Sequence, residues 1–282
     1  MEEGTLKNKD TELPENAYEL LSRTREGTDI TVRDDQHDFS SLLDSVKKCR
    51  KRGLRFRLID SGVLDGFNLE WLGKAGADIY TSDEIRIDAL ELELMKRACK
   101  KGKAFLSYFY HGPLESDEPE NEADSLSFTE LKNLARNGVY FYITNRERKL
   151  SFSALNELAH ACLRGRSWLV YYHFGPIEPA LEELGLNGAW IHITDQSFYE
   201  DGDTNFVLDA VKSSLSSGMR MVVHVEKELD YSILRDIMSA GAYVLFKYSL
   251  FDYKSPFRSL EREARKRKPD FRACYLYPNF LP

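Results

Sequence analysis

One unit recurs along this 282-residue chain and limits what it can fold into: an amphipathic helical stretch, a glycine, then a short apolar run ending in polar residues. Half of the copies read GTDITVRDD from Gly27, GADIYTSDE from Gly76, GVYFYITNR from Gly138, GAWIHITDQ from Gly188 and GAYVLFKYS from Gly241. The other half read GLRFRLIDSG from Gly53, GKAFLSYFYHG from Gly102, GRSWLVYYHFG from Gly165 and GMRMVVHVE from Gly218. A last copy, KPDFRACYLYP from Lys268, lacks the glycine. The two kinds alternate. Copies of the first kind recur at about fifty residues, with a wider step after Gly76 where the acidic insert ESDEPENEAD intervenes.

The unit has a physical reading. Glycine just past a helix adopts the left-handed conformation at no Cβ cost and ends the helix. The Ile/Val/Phe/Tyr/Trp run that follows favours a strand. Between them, apolar residues such as Leu155, Leu158, Ala159 and Cys162 fall three and four apart, as on one face of a helix. Regular α–β alternation implies parallel strands joined by right-handed crossovers. The expected fold is α/β: a single (β/α)8-type, TIM-like barrel built from alternating βα repeats over residues 16–282, behind a flexible tail at 1–15. Ten strand-like segments exceed the eight of the standard barrel, so the surplus units are placed at the ends. A leucine-rich horseshoe has a similar period, but its Leu-x-x-Leu-x-Leu ladder is absent.

Charge and composition exclude some functions. The net charge of −7 and a pI near 5.5 argue against a general nucleic-acid binder. The polar start MEEGTLKNKD lacks the apolar stretch of a secretory leader, and no run is long enough for a membrane span, so a cytoplasmic protein is expected. Cys49, Cys99, Cys162 and Cys274 show neither CxxC nor zinc-finger spacing and read as small buried apolar residues.

Strand alternation proposes a site. In the first kind of unit, residues such as Ile79 and Ile191 should face the helices, turning Asp78, Tyr80, Ser82 and Trp190, His192, Thr194 to the barrel axis. In the second kind, the axis should receive Leu106, Tyr108, Tyr110 and Leu169, Tyr171, His173. The mouth layer, where such barrels carry their active sites, would then hold Arg33, Ser61, Ser82, Tyr110, Thr144, His173, Thr194, Glu226 and Lys247. Asp34, Asp60, Asp83, Asn145 and Asp195 stand just beyond, at loop starts.

Glu226 ends the run MVVHVE and, with Asp60, Asp83 or Asp195, could form the facing carboxylate pair of a glycosidase. The expected catalytic set is Glu226, His173, Asp60 and Asp195. Arg33, Ser82, Asp83, Tyr110, Thr144, Thr194 and Lys247 are expected to bind substrate. Each Asp also has a structural reading as a helix cap, and Glu226 as an ion-pair partner of Lys247 or Arg33. His173, His224 and Glu226 could hold a divalent metal with Asp60 or Asp195, but the histidines are scattered singly, and no cofactor signature is present. Lys247 could serve as a Schiff-base lysine, although a neighbouring carboxylate would keep it charged. HGPLE and FGPIE resemble helix starts more than phosphate loops. The basic run REARKRK reads as a solvated helix face, and the apolar tail YLYPNFLP as a cover for one end or a homodimer contact.

Two functions follow. One is an acid–base enzyme, hydrolase or lyase, acting on a small polar, carbohydrate-like substrate at the rim. The other is a non-catalytic barrel that binds or scaffolds, its inward polar residues mutually satisfied. The partner expected in either case is a small molecule, with neither nucleic acid nor membrane.

Overall fold

The computed structural model describes Leu20, Gly27 and residues 29–114, 125–198, 204–225, 230–246 and 257–273. Over the described residues the chain is α/β with nine parallel βα units. In order they are β1 (Ile30–Arg33), α1 (Phe39–Lys51), β2 (Phe56–Ile59), α2 (Gly66–Ala75), β3 (Ala77–Ser82), α3 (Ala89–Gly102) and β4 (Leu106–Tyr110). There follow α4 (Phe128–Arg136), β5 (Tyr140–Thr144), α5 (Phe152–Arg164), β6 (Leu169–His173), α6 (Pro179–Leu186) and β7 (Trp190–Thr194). The last are α7 (Thr204–Ser216), β8 (Arg220–Val225), α8 (Tyr231–Ala240), β9 (Tyr243–Phe246) and α9 (Phe257–Lys266). No helix among the described residues is long and apolar enough to cross a membrane.

The chain divides into two compact units, one running to Phe109 and the other made chiefly of Ser127–Tyr275, with Tyr110–Asp117 belonging to the second. In the first, β1, β2, β3 and β4 pair in sequence order, all parallel. In the second, β5 to β9 do the same. Neither has the reversal of strand order that marks a doubly wound sheet. β3 to β7 are buried along their whole length, on both faces. That burial is why both faces of these strands carry aromatic or apolar residues.

Units are stapled to their successors by side chains at equivalent positions. Asp29 accepts the Arg55 N–H at 3.0 Å, and Asp78 accepts the Phe105 N–H at 3.0 Å. At the other end of the strands, Asp34 accepts the N–H groups of Ser61 at 2.8 Å and Leu64 at 3.1 Å. Asn145 takes the N–H of Phe174 at 2.7 Å and donates to its carbonyl at 2.8 Å. The capping role expected of the strand-end aspartates belongs to others: Asp38, Asp65, Asp88 and Asp230 cap α1, α2, α3 and α8. Cys49, Cys99 and Cys162 are buried thiols, and burial pushes Cys99 and Cys162 up to about 12. Cys274 lies outside the described residues.

Two expectations need correction. The tenth repeat is no strand over its described part, where Phe271–Ala273 forms a 3-10 turn. It has no glycine to end the preceding helix, and Pro269 brings no N–H to a ladder. The second correction concerns which way β4 and β6 face. A Cβ on Gly73 would lie 3.3 Å from Ile79 Cδ1, and one on Gly185 3.4 Å from Ile191 Cγ1, so both isoleucines face the helices as expected. Ile79 is in register with Leu106, and Ile191 with Tyr171. Leu106, Tyr108 and Tyr110, and likewise Leu169, Tyr171 and His173, therefore face the helices and not the opposite side. The Tyr171 ring meets Phe152 of α5 edge-on at 6.2 Å, in agreement.

The error has a local cause. In these two units the residue in left-handed conformation is not the glycine but its successor, Lys103 (φ 58°) or Arg166 (φ 58°). The strand begins one residue later than a count from Gly102 or Gly165 supposes, and a shift of one inverts a strand.

Candidate functional site

In the first compact unit, Arg33 closes β1 and pairs with Asp35 at 2.9 Å. Asp60 is fully buried, on the helix side of the sheet. Its carboxylate accepts from Thr81 Oγ1 at 2.7 Å, Arg86 Nε at 2.8 Å, Arg86 Nη2 at 3.1 Å and the Gly62 N–H at 3.0 Å. Arg86 also pairs with Glu91 at 2.8 Å and donates to the Leu64 carbonyl. Burial alone would lower the Arg86 pKa, but Asp60 and Glu91 more than offset it and hold the group above its ordinary value. Ser82 is fully buried on the opposite face, and its Oγ has no hydrogen-bond partner among the described residues. Asp83, half-buried, donates its N–H to the Phe109 carbonyl at 3.0 Å.

In the second unit, Tyr110 faces away from the expected site and donates to the Pro113 carbonyl at 2.9 Å. His173 is likewise on the helix side, buried, its Nε2 2.7 Å from the Pro176 carbonyl and its Nδ1 3.4 Å from Asn145 Nδ2. It therefore cannot converge with His224, which lies on the other face. Among the described residues no group of three or more His, Cys, Asp or Glu side chains could hold a metal ion. Asp195 is buried at the head of the 3-10 turn Asp195–Phe198. Glu226 and Lys247 lie outside the described residues.

Thr144 and Thr194 do reach one shared surface. Thr144 is in register with Tyr172, Tyr172 with His192, and Thr194 with His224, all on the face turned from the helices. At its centre His192 Nδ1 lies 2.8 Å from His224 Nε2, one of the two nitrogens donating to the other. The Tyr172 ring packs against His192 at 4.3 Å between centroids. His192 is buried, whereas His224 is partly exposed. Burial, then the neighbouring His224, hold the His192 pKa well below 6.5, against an opposing pull from the Ala273 backbone.

The strand-start end of the same face is closed by the turn before the C-terminal tail. Tyr142 donates to the Arg272 carbonyl at 2.6 Å, and the Arg272 guanidinium lies 4.5 Å over the Trp168 ring, paired with Asp270 at 2.6 Å. The tail itself lies outside the described residues.

The depressed pKa of His192 ties stability to pH. Above pH 6.5 the imidazole is neutral in both folded and unfolded chains, so its contribution to stability is complete. Below pH 6.5 the unfolded chain binds a proton that folded His192 refuses, and stability falls, by about 1.4 kcal/mol for each unit of depression once the folded pKa is passed. Urea midpoints of wild type and His192→Gln between pH 5 and 8 should converge as the pH falls. Parallel curves would mean that His192 is not held neutral.

Sequence reasoning turns His192 to the barrel axis but does not single out the His192–His224 pair. The available signal is alternation itself, which puts both on the same face, and Thr194 in register with His224 makes β7 and β8 neighbours.

No protein-family model matches the chain, and no curated protein matches it. Similar solved structures include an HpcH/HpaI aldolase from Desulfitobacterium hafniense DCB-2, 12% identical over 93% of each chain, TM-score 0.34. A mandelate racemase/muconate lactonizing protein from Herpetosiphon aurantiacus is 15% identical over 81% of this chain, which spans 57% of that one, TM-score 0.34. A deoxyribose phosphate aldolase from Aeropyrum pernix is 14% identical over 87% of this chain and 93% of its own, TM-score 0.29. Likenesses of this strength carry nothing to the reaction or substrate of this chain.

Proposed function

We propose that the chain is an acid–base enzyme acting on a small polar compound, with His224 as the group that exchanges a proton. The observation that supports this is the 2.8 Å contact of His192 and His224, a buried neutral imidazole behind a partly exposed one. In this reading His192 is the neutral tautomer whose Nδ1 accepts from His224 Nε2, which fixes that ring's orientation and tautomer. The second nitrogen of His224 then exchanges protons with the ligand, as general acid–base catalysis requires. Thr194 beside it, and Thr144 on the same face, supply hydroxyls for a polar ligand. Glu226, two residues beyond His224, is the carboxylate of the reading.

A second reading, a non-catalytic binding or scaffold protein, is favoured by a different observation. Asp60 and His173, two expected catalytic residues, are both bound into the architecture.

The test is a thermal-shift screen against sugars, sugar phosphates, carboxylic acids and divalent metals, on wild type, His224→Gln and His173→Gln. A ligand at about a hundred times its dissociation constant adds about 2.7 kcal/mol of stability. A hit abolished by His224→Gln and kept by His173→Gln is the expected result. A hit indifferent to His224→Gln would overturn the site. Silence across the panel would favour the scaffold.

A further inference from the structure

Eight large apolar side chains stand exposed among the described residues, and six of them gather in one place. Val63, Phe67, Trp71, Ile87, Leu90 and Leu94 lie on α2, on α3 and on the loops that lead into them. Phe67 and Leu90 are 67% and 62% exposed, far beyond what a side chain folded onto its own unit would show. Singly such residues would be ordinary, but a contiguous group marks an interaction surface.

The group is contiguous because glycines bring the two helices together. Gly66 abuts Glu91, a Cβ on Gly73 would lie 2.8 Å from Cys99 Sγ, and Gly102 abuts the Gly73 carbonyl. Gly66 beside Glu91 and Gly73 beside Cys99 make α2 and α3 parallel neighbours. With 3.6 residues per turn, Phe67 and Trp71 stand about a third of a turn from the contact line of α2. Leu90 and Leu94 stand about a third of a turn from that of α3, in the opposite sense. Both pairs therefore project outward on the same side of the seam. Phe67 and Trp71 also pack edge-on, with ring centroids 6.2 Å apart.

Charge says what covers this surface. Each stripe runs on into basic residues at the helix C-termini: Lys74 after Trp71 on α2, Arg97 and Lys101 after Leu94 on α3. Acidic residues stand at the helix starts: Asp65 before α2, Glu84 and Asp88 before α3. All six are exposed. Lys74 also lies 5.3 Å over the Trp71 ring, and Arg97 pairs with Glu93 at 2.9 Å. Asp65 and Lys74 are nearly equidistant in sequence from the middle of the Phe67–Trp71 pair. Glu84 and Lys101, and Asp88 and Arg97, are nearly equidistant from the middle of Leu90–Leu94. A twofold axis through these midpoints lays apolar on apolar and acidic end on basic end. Such self-complementarity is what an isologous interface demands.

We propose that the α2–α3 face is the interface of a homodimer, with the helices of one protomer antiparallel to those of its partner. It is distinct from the C-terminal tail, the segment whose sequence suggests a dimer contact.

The test is sedimentation velocity with light scattering on the full chain, up to about 100 μM, above the micromolar range of weak interfaces of ordinary size. Wild type is expected to be a dimer, and Phe67→Glu with Leu90→Glu a monomer with an unchanged circular dichroism spectrum. Glu84→Lys and Lys101→Glu should each weaken the dimer, by about tenfold in Kd at low salt, and together restore it. These two sites are exposed, so they test the interface even if the apolar variant misfolds. A monomeric wild type would overturn the proposal, as would a dimer that persists in the folded apolar variant. Failure of the double charge swap to restore association would overturn the twofold arrangement.

Discussion

Replacement of Asp60 by asparagine is expected to cost about 3–5 kcal/mol of stability, the range for breaking a buried ion pair on one side. Asp60 is 0% exposed and accepts hydrogen bonds from Thr81, Gly62 and two nitrogens of Arg86. Asparagine keeps the shape but removes the charge, leaving the 9%-exposed Arg86 guanidinium with Glu91 as its remaining carboxylate. An amide nitrogen would also face a donor where a carboxylate oxygen accepted. Urea unfolding followed by circular dichroism measures the loss. Asp60→Leu combined with Arg86→Met should lose much less, because removing both charges removes the need to solvate either. A carboxylate kept for catalysis would behave differently, with Asp60→Asn leaving stability nearly unchanged. That outcome would return Asp60 to the catalytic set.

The repeat is the most legible part of the sequence because one residue type serves one function in most copies. Gly27, Gly53, Gly76, Gly138, Gly188, Gly218 and Gly241 all have positive φ, as helix-ending glycines should. Counting strand positions from them yields the correct facing for β1, β2, β3, β5, β7, β8 and β9. The count fails at β4 and β6, where glycine answers a need for close approach that a single copy of the repeat does not reveal. The site is less legible for a related reason. Asp34, Asp60 and Asn145 look alike in sequence, as polar residues at strand ends. Each is instead a staple whose partner lies in the following unit. Such a partner, a backbone N–H or an arginine about 26 residues on, leaves no local signature. His192 and His224 can be paired by alternation and strand adjacency. Their chemistry depends on the difference between full and partial burial, which strand patterning does not reveal.

Gly102→Ala and Gly165→Ala are each expected to destabilise by about 3 kcal/mol, the upper part of the usual range for overpacking. Neither glycine is needed for its φ: Gly102 ends α3 in helical conformation, and Gly165 caps α5 with φ −77°. Their missing Cβ atoms matter instead, because a methyl group on Gly102 would collide with the Gly73 carbonyl oxygen and one on Gly165 with that of Ala135. Both obstacles are backbone, so relief requires α2 and α3, or α4 and α5, to move apart at their C-terminal ends. Gly53, at φ 72° and with nothing within 4 Å of where a methyl group would stand, provides the contrast. There alanine bears only the left-handed penalty, about 1–2 kcal/mol. The same reasoning predicts a gain at the successors. Lys103→Gly and Arg166→Gly relieve side chains held at φ 58°, and each should stabilise by up to about 1 kcal/mol, reduced by the added freedom of the unfolded chain. Unfolding midpoints of the four variants should therefore split in opposite directions at adjacent residues. Equal, small losses at Gly102 and Gly53 would mean that the helices accommodate a methyl group at Gly102. The inverted facing of β4 would then need another cause.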